Sequence, residues 1–207
     1  MADNTQTQVE LLAHQELTHP GSIIGSAQDV STWLSGVVHI FHANIETTAN
    51  LAAGLDYIDV QGSPNATGNL WVSLGKYAPS TTAATDTAFD GNEAAGGSPP
   101  YVLSVATTAG KTAGALIYLK DAAGGVTESE WNEVISVVTD DTVTVADALA
   151  FAKVATDDHM FTQASRWPHH LPDLSGYQRI RVVVHHQGAT GSDWRVYAVL
   201  EAATDFE

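Results

Sequence analysis

Apolar and polar residues alternate with a period of two along much of the chain, and the alternation becomes regular at Ser31. In STWLSGVVHIFHANIETTA, Val38, Ile40 and His42 share one face of an extended segment. Val37, His39 and Phe41 share the other, so this segment predicts a strand with both faces partly covered. LDYIDVQGSPNATG follows, with Leu55, Tyr57 and Asp59 set against Ile58 and Val60, and it ends in a turn cluster. NLWVSLGKYAP predicts a third strand around Trp71 and Leu74. Residues 78–100 break the pattern with Ala, Thr, Gly, Pro and acid and read as a linker or exposed loop. From Tyr101 the pattern resumes in YVLSVAT, GALIYLKD, SEWNEVISVVT and TVTVADALAFA, separated by turn signals at 108–112, 122–127 and Asp140-Asp141. Four short strands within about 50 residues predict a small barrel or curled sheet. VADALAFAKVA is the best helix candidate in mid-chain, although the Thr and Val run before it favours a strand at its start.

The last region gives the plainest pattern. In GYQRIRVVVHHQGATGSDWRVYAVLEAA, Ile180, Val182 and Val184 share a face, as do Trp194, Val196, Ala198 and Leu200. Two such segments joined by QGATGSD predict a hairpin. A hairpin alone is marginal and needs more sheet, which the strands before residue 80 supply. The expected fold is therefore all-β: a discontinuous, jelly-roll-like antiparallel β-sandwich with an inserted small β-barrel-like domain. Residues 30–85 and 159–207 would form the sandwich and 86–158 the insert, since long insertions in surface loops are tolerated. Two consecutive small domains are the alternative. Residues 1–29 are polar around one apolar group at Val9, Leu11 and Leu12. They predict an N-terminal arm, with a short helix over QVELLAHQEL as the other reading.

Charge changes the picture most. The 207 residues carry 24 acidic against 8 basic side chains, a formal net charge of -16. That average field repels a phosphate backbone and an anionic membrane, so neither nucleic acid nor membrane is an expected partner. Arg179, Arg181 and Arg195 cluster near the C-terminus without the dense basic run of a nucleic-acid groove. No cysteine is present, which removes disulfides and thiolate chemistry. The first residues lack the basic and apolar regions of a secretory signal, and no apolar run approaches the roughly 20 residues that span a bilayer. Synthesis in the cytoplasm is the expectation.

Candidate chemistry is sparse. His169-His170 and His185-His186 are adjacent and His39 and His42 three apart, spacings that put the partners on opposite strand faces. A zinc site would need His39 or His42 to meet a later histidine across the sheet. Asp121, Glu128, Glu130, Glu133, Asp140 and Asp141 are oxygen donors suited to Ca²⁺, or simply solvated acids around a Trp131 that faces a small core. No GxSxG elbow, phosphate loop, dinucleotide fingerprint or HExxH helix occurs. Trp167, Trp194 and Tyr197 either line a sugar-binding groove or fill a core or subunit contact. Asn65-Ala66-Thr67 matches a glycosylation acceptor but sits in the turn cluster. No enzyme activity, cofactor or metal is expected.

The order WLSGVVHIFHANIE, GNLWVSL, ALIYLKD, SEWNEVISVVTDDTVTVADAL, RIRVVVHHQG and WRVYAVLEA resembles virion structural proteins of tailed phages and prophages, including auxiliary head proteins. The resemblance covers about residues 30–207. It implies a decoration or cement protein located in the virion, partnered by the major capsid protein and self-associating as a dimer or trimer. Trp167, Arg179 and Arg181 are the interface residues expected, since Arg and aromatic side chains anchor such contacts. A tail-associated or surface carbohydrate-binding module is the alternative.

Overall fold

The computed structural model describes residues 6–17, 20–45, 56–79, 82–139, 141–187 and 194–203. Strands β1 (Gln6–Leu17), β2 (Gly21–Ile24), β3 (Gln28–Asp29), β4 (Ser35–Asn44), β5 (Tyr57–Ser63) and β6 (Val72–Tyr77) come first. Next come β7 (Asp86–Ala88), β8 (Tyr101–Ser104), β9 (Leu116–Lys120), β10 (Glu130–Val138), β11 (Thr142–Val145) and β12 (His159–Phe161). The chain closes with β13 (Ala164–Leu171), β14 (Arg179–His186) and β15 (Trp194–Ala203). One turn of 3-10 helix, Gly125–Thr127, is the only helical element among the described residues. The protein is all-β and its strand pairs are antiparallel.

Pairing runs from the outside of the chain inwards. β1 pairs with β15, β2 with β14, β4 with β13 and β5 with β6. Two lateral pairs, β15 with β4 and β14 with β5, complete facing sheets ordered β1-β15-β4-β13 and β2-β14-β5-β6, and β3 also pairs with β14. A long antiparallel ribbon rolled up in this way is a jelly roll. Its core holds the inward sides of both sheets: Val38 and Ile40, Ile58 and Val60, Ile180, Val182 and Val184, and Trp194, Val196 and Leu200. The alternation anticipated for β4, β5, β14 and β15 is thus the alternation observed.

Three expectations are corrected. β14 and β15 are not a hairpin, because they lie in opposite sheets. Both apolar faces point into one core from opposite sides, and period-two alternation is the same for a hairpin and for an arch that crosses a core. The connecting residues 188–193 lie outside the described residues. Nor is the N-terminal segment a free arm or a helix where it is described. β1 is an edge strand that buries Leu11, Leu12 and Leu17, and β2 lies on the other sheet. Register shifts on either side of Leu12 turn the adjacent Leu11 and Leu12 both inward, which erases the strand signature from the sequence. Gly25, just past β2, approaches β1 so closely that a Cβ there would meet the Leu11 carbonyl.

The third correction concerns 78–100 and the limits of the insert. β7 lies within the expected linker, Phe89 is fully buried, and the backbone continues into bridges from Glu93 to Lys153 and from Gly96 to Leu149. Low hydrophobic content hid a segment held by one aromatic anchor and backbone pairing. β12, assigned from the sequence to the sandwich, pairs with β7 and β9. The second sheet system runs β7-β12-β9-β10-β11-β8. It curls until a bridge from Phe89 to Val105 brings its two edges together. Leu103, Ile117, Leu119, Val134, Val143, Val145 and Met160 fill its core. VADALAFAKVA, the best mid-chain helix candidate, forms no helix, and its start is strand. β11 ends at Val145, and the backbone of Leu149 and Lys153 is engaged with Gly96 and Glu93 instead. A third cluster, Ala43, Ile45, Ala84, Tyr118 and Phe161 with Trp131 and Ala164 against it, joins this curled sheet to the outside of the β1-β15-β4-β13 sheet.

Candidate functional site

The three residues expected at an interface fall in two places. Trp167 is on the inward side of β13, at the free edge of its sheet, opposite Ile40. It stacks on Tyr77 of β6, with ring centres 4.7 Å apart and planes 23° apart. The Tyr77 and Ser165 hydroxyls share a hydrogen bond of 2.6 Å. Two residues on, His169 lies against Gly75, where a Cβ would come 2.3 Å from its ring. Half-buried Trp167 thus closes the seam between the two edge strands within its own chain.

Arg179 and Arg181 project from the opposite side of the molecule, the outward face of β14. Ile180 and Val182 point inward, so their neighbours must point out. The guanidinium carbons stand 4.8 Å and 3.9 Å from the centre of the Trp71 ring, a doubled cation–π contact. Arg179 donates to the carbonyls of Asn65 and Gly68, at 2.9 and 2.8 Å, and so ties down the 64–69 turn. Arg181 donates to Gln61 Oε1 at 2.9 Å. Lys76 sits 4.4 Å from the Tyr57 ring, and Tyr57 stacks on His185 with ring centres 4.3 Å apart. Burial, followed by the Arg179 charge, lowers the pKa of Arg181. With Ile180, Val182 and Val184 on one face of β14, parity puts both arginines on the other. No sequence signal connected them to Trp71, which arrives across the sheet from the turn before β6.

A second arrangement, missed in the sequence, lies where the curled sheet meets the jelly roll. Phe41 and Tyr197 are cross-strand partners on the outward face of β4 and β15. Trp131 of β10 leans over them, with ring centres 5.9 Å from Phe41 and 6.4 Å from Tyr197. Trp131 therefore faces this junction rather than the core of its own sheet. His14 closes one side, 4.7 Å from Trp131, with Nε2 3.1 Å from the Tyr118 hydroxyl. Burial, helped by the Arg195 charge, lowers the His14 pKa to about 4, so the imidazole is neutral at pH 7. Burial also raises Tyr118 to about 12. The rings leave a hollow of about 300 Å³. Its polar walls are engaged. Ser129 Oγ accepts from the Asp121 amide and donates to the Gly125 carbonyl. The Glu130 carboxylate accepts from the amides of Ala150 and Phe151 and pairs with Lys153 at 3.5 Å. What faces the hollow is mainly carbon. A second depression, of about 460 Å³, lies farther along the same outward face, over Val37, His39, Pro168, His170 and Glu201. There His39 Nε2 is 3.2 Å from Glu201.

The paired histidines diverge as their spacing requires. His186 points inward to Asp56 at 3.2 Å, while His185 points outward to Ser22 at 3.0 Å. His42 is fully buried beside Trp194, and His39 is on the outer face. Among the described residues, no group of three His, Cys, Asp or Glu side chains is placed to hold a metal ion. Asp121 is buried and accepts from the Gly124 amide, Glu128 and Glu133 are exposed, and Asp140 lies outside the described residues. Arg195 is buried and paired with Glu16 at 3.0 Å.

The topology defines a jelly-roll protein carrying a curled β-sheet insert between β6 and β13. No family model and no curated protein matches the chain. Among solved structures, VP17, a capsid protein of bacteriophage P23-77, aligns with 96% of this chain and 95% of that one. Identity is 7% and the TM-score 0.21, too low to carry an argument about fold or function.

Proposed function

We propose that the protein is a non-enzymatic structural component of a virion, made in the host cytoplasm. In this reading it decorates or cements the shell by contacts with the major capsid protein and with its own copies, as a dimer or trimer. The observation that carries the reading is the first-with-last strand pairing of a jelly roll, an architecture used in viral capsid domains and in lectins. Fold alone is an analogy, and the chemistry of the surfaces adds to it. The outer faces of the two sheets offer aromatic and arginine side chains, the types that anchor protein contacts. The test is quantitative mass spectrometry of purified particles from the source. Copy numbers scaling with the shell protein support decoration, a few copies move the protein to the neck or tail, and complete absence overturns the reading.

A carbohydrate-binding role, on a tail or cell surface, is favoured by one observation, the Phe41–Trp131–Tyr197 ring cluster. Aromatic faces stack on sugar rings, but the engaged polar walls leave few groups to orient hydroxyls. Titration with neutral oligosaccharides, followed by Trp fluorescence in the native protein and in W131A, separates the two roles. A saturable response lost in W131A supports sugar binding.

A further inference from the structure

Three of the chain's eight basic side chains, Lys76, Arg179 and Arg181, lie on the outward face of the β2-β14-β5-β6 sheet. In a chain with 24 acidic residues, that concentration runs against the average field. Among the described residues, the ion pairs engage Lys153, Arg195 and three histidines, and neither Arg179 nor Arg181. Of the two acids adjoining them in the sheet, Asp29 lies directly opposite Arg179, exposed, and accepts from the Ser31 amide at 2.9 Å, while Asp59, diagonal to Arg181, is buried. The Asp59 oxygens accept from Gln61 Nε2 at 2.8 Å and from Ser73 Oγ at 2.5 Å. Two guanidinium groups are thus held two residues apart over one indole, fixed by their Nε bonds to Asn65 and Gln61, and among the described residues neither makes a contact ion pair, although the Asp59 charge acts on Arg181. Holding like charges together in this way is unfavourable, and an outside anion relieves it. Ile24, 60% exposed and opposite Val183, and Leu70, 55% exposed and next to Trp71, put apolar surface at the same face.

We infer that this face docks an acidic protein surface, with carboxylates seated on Arg179 and Arg181 beside Trp71. A planar guanidinium matches a carboxylate through paired N–H donors, and Trp, Tyr and Arg are the residue types of interface anchors. A protein surface fits better than a nucleic acid because of range. A few carboxylates can sit within the roughly 8 Å Debye length of the patch, where the two arginines dominate. A long phosphate chain extends beyond it, into the field of a molecule with net charge -16. The contact does not depend on a virion role, and either can fail without the other.

The experiment is an NMR titration of the ¹⁵N-labelled full chain at about 0.15 M ionic strength, where the Debye length is roughly 8 Å, observing arginine Nε–Hε signals. The probes are a tetra-glutamate peptide, a tetra-lysine peptide and a thymidine oligonucleotide. Arg179 and Arg181 signals should shift with tetra-glutamate alone, while Arg166 stays in place. R181Q should weaken binding at least about tenfold, one charge-assisted contact, and R181K should fall between the two. Arg179 is left unaltered because it ties down the 64–69 turn, and an unchanged spectrum away from the patch shows that R181Q is folded. No shift with tetra-glutamate, an equal shift at Arg166, or a stronger response to the oligonucleotide overturns the inference.

Discussion

His42 occupies a core position on β4 that alternation reserves for an apolar side chain. Its ring is fully buried, flanked by Trp194 and Tyr77, and neither ring nitrogen has a hydrogen-bond partner among the described residues. A buried polar group without a partner costs about 1–3 kcal/mol. H42L should therefore raise stability by about 1 kcal/mol, or roughly 2–4 °C in Tm for a chain of this length, read by thermal denaturation at pH 7. Burial lowers the His42 pKa to about 3, and His14, also mainly by burial, to about 4. Both values lie below the ordinary 6.5 of the unfolded chain, so between these values the unfolded state binds more protons than the folded one. Stability then falls as pH drops below about 6.5, by at most about 1.4 kcal/mol per pH unit for each group. Melts at pH 7, 5.5 and 4.5 should show that decline in the native protein and a shallower one in H42L. A pH-independent Tm over this range would contradict the burial of both rings.

Single strands were legible wherever one face is buried and alternation is unbroken, as in β4, β5, β14 and β15. Pairing was not, because a sheet is specified by neighbours distant in sequence. The inward faces of β14 and β15 said that each strand borders a core, and nothing in them said that the core lies between the two. β1 was lost for a different reason, since its bulges put Leu11 and Leu12 side by side in the interior. The same holds for the candidate sites. The outward direction of Arg179 and Arg181 follows from parity, whereas Trp71 above them, and Trp131 over Phe41 and Tyr197, come from other elements. The status of β1 has a direct test. An arm can be removed without harm to the domain, but deleting residues 1–17 here uncovers β15 and removes Leu11, Leu12 and Leu17 from the core. Burying a leucine contributes about 1.5–3 kcal/mol, so the deletion should abolish cooperative unfolding in near-UV circular dichroism. A truncated chain that melts at the native temperature would sink the edge-strand assignment.

On the scale of the whole molecule, two hydrophobic cores are joined by a small third cluster under a field of strong net negative charge. Self-repulsion of that size opposes the compact state, and salt screens it. Tm should therefore rise between 20 mM and about 500 mM NaCl, with most of the change reached once the Debye length is shorter than the spacing of surface acids. A flat or falling response would mean that local ion pairs such as Arg195–Glu16 outweigh the net repulsion.

The pairing of β1 with β15 also governs how the molecule bears load. Gln6 lies opposite Ala203, so the described chain enters and leaves at the same end of one ribbon. Tension applied across those two residues would open the ladder one hydrogen bond after another, like a zipper. Tension applied between Leu17 and Ala203, at opposite ends of the same ribbon, would strain the whole ladder at once and meet far greater resistance. A load carried between Leu17 and Ala203 is therefore borne by the whole ladder, and one carried between Gln6 and Ala203 by a single pair at a time.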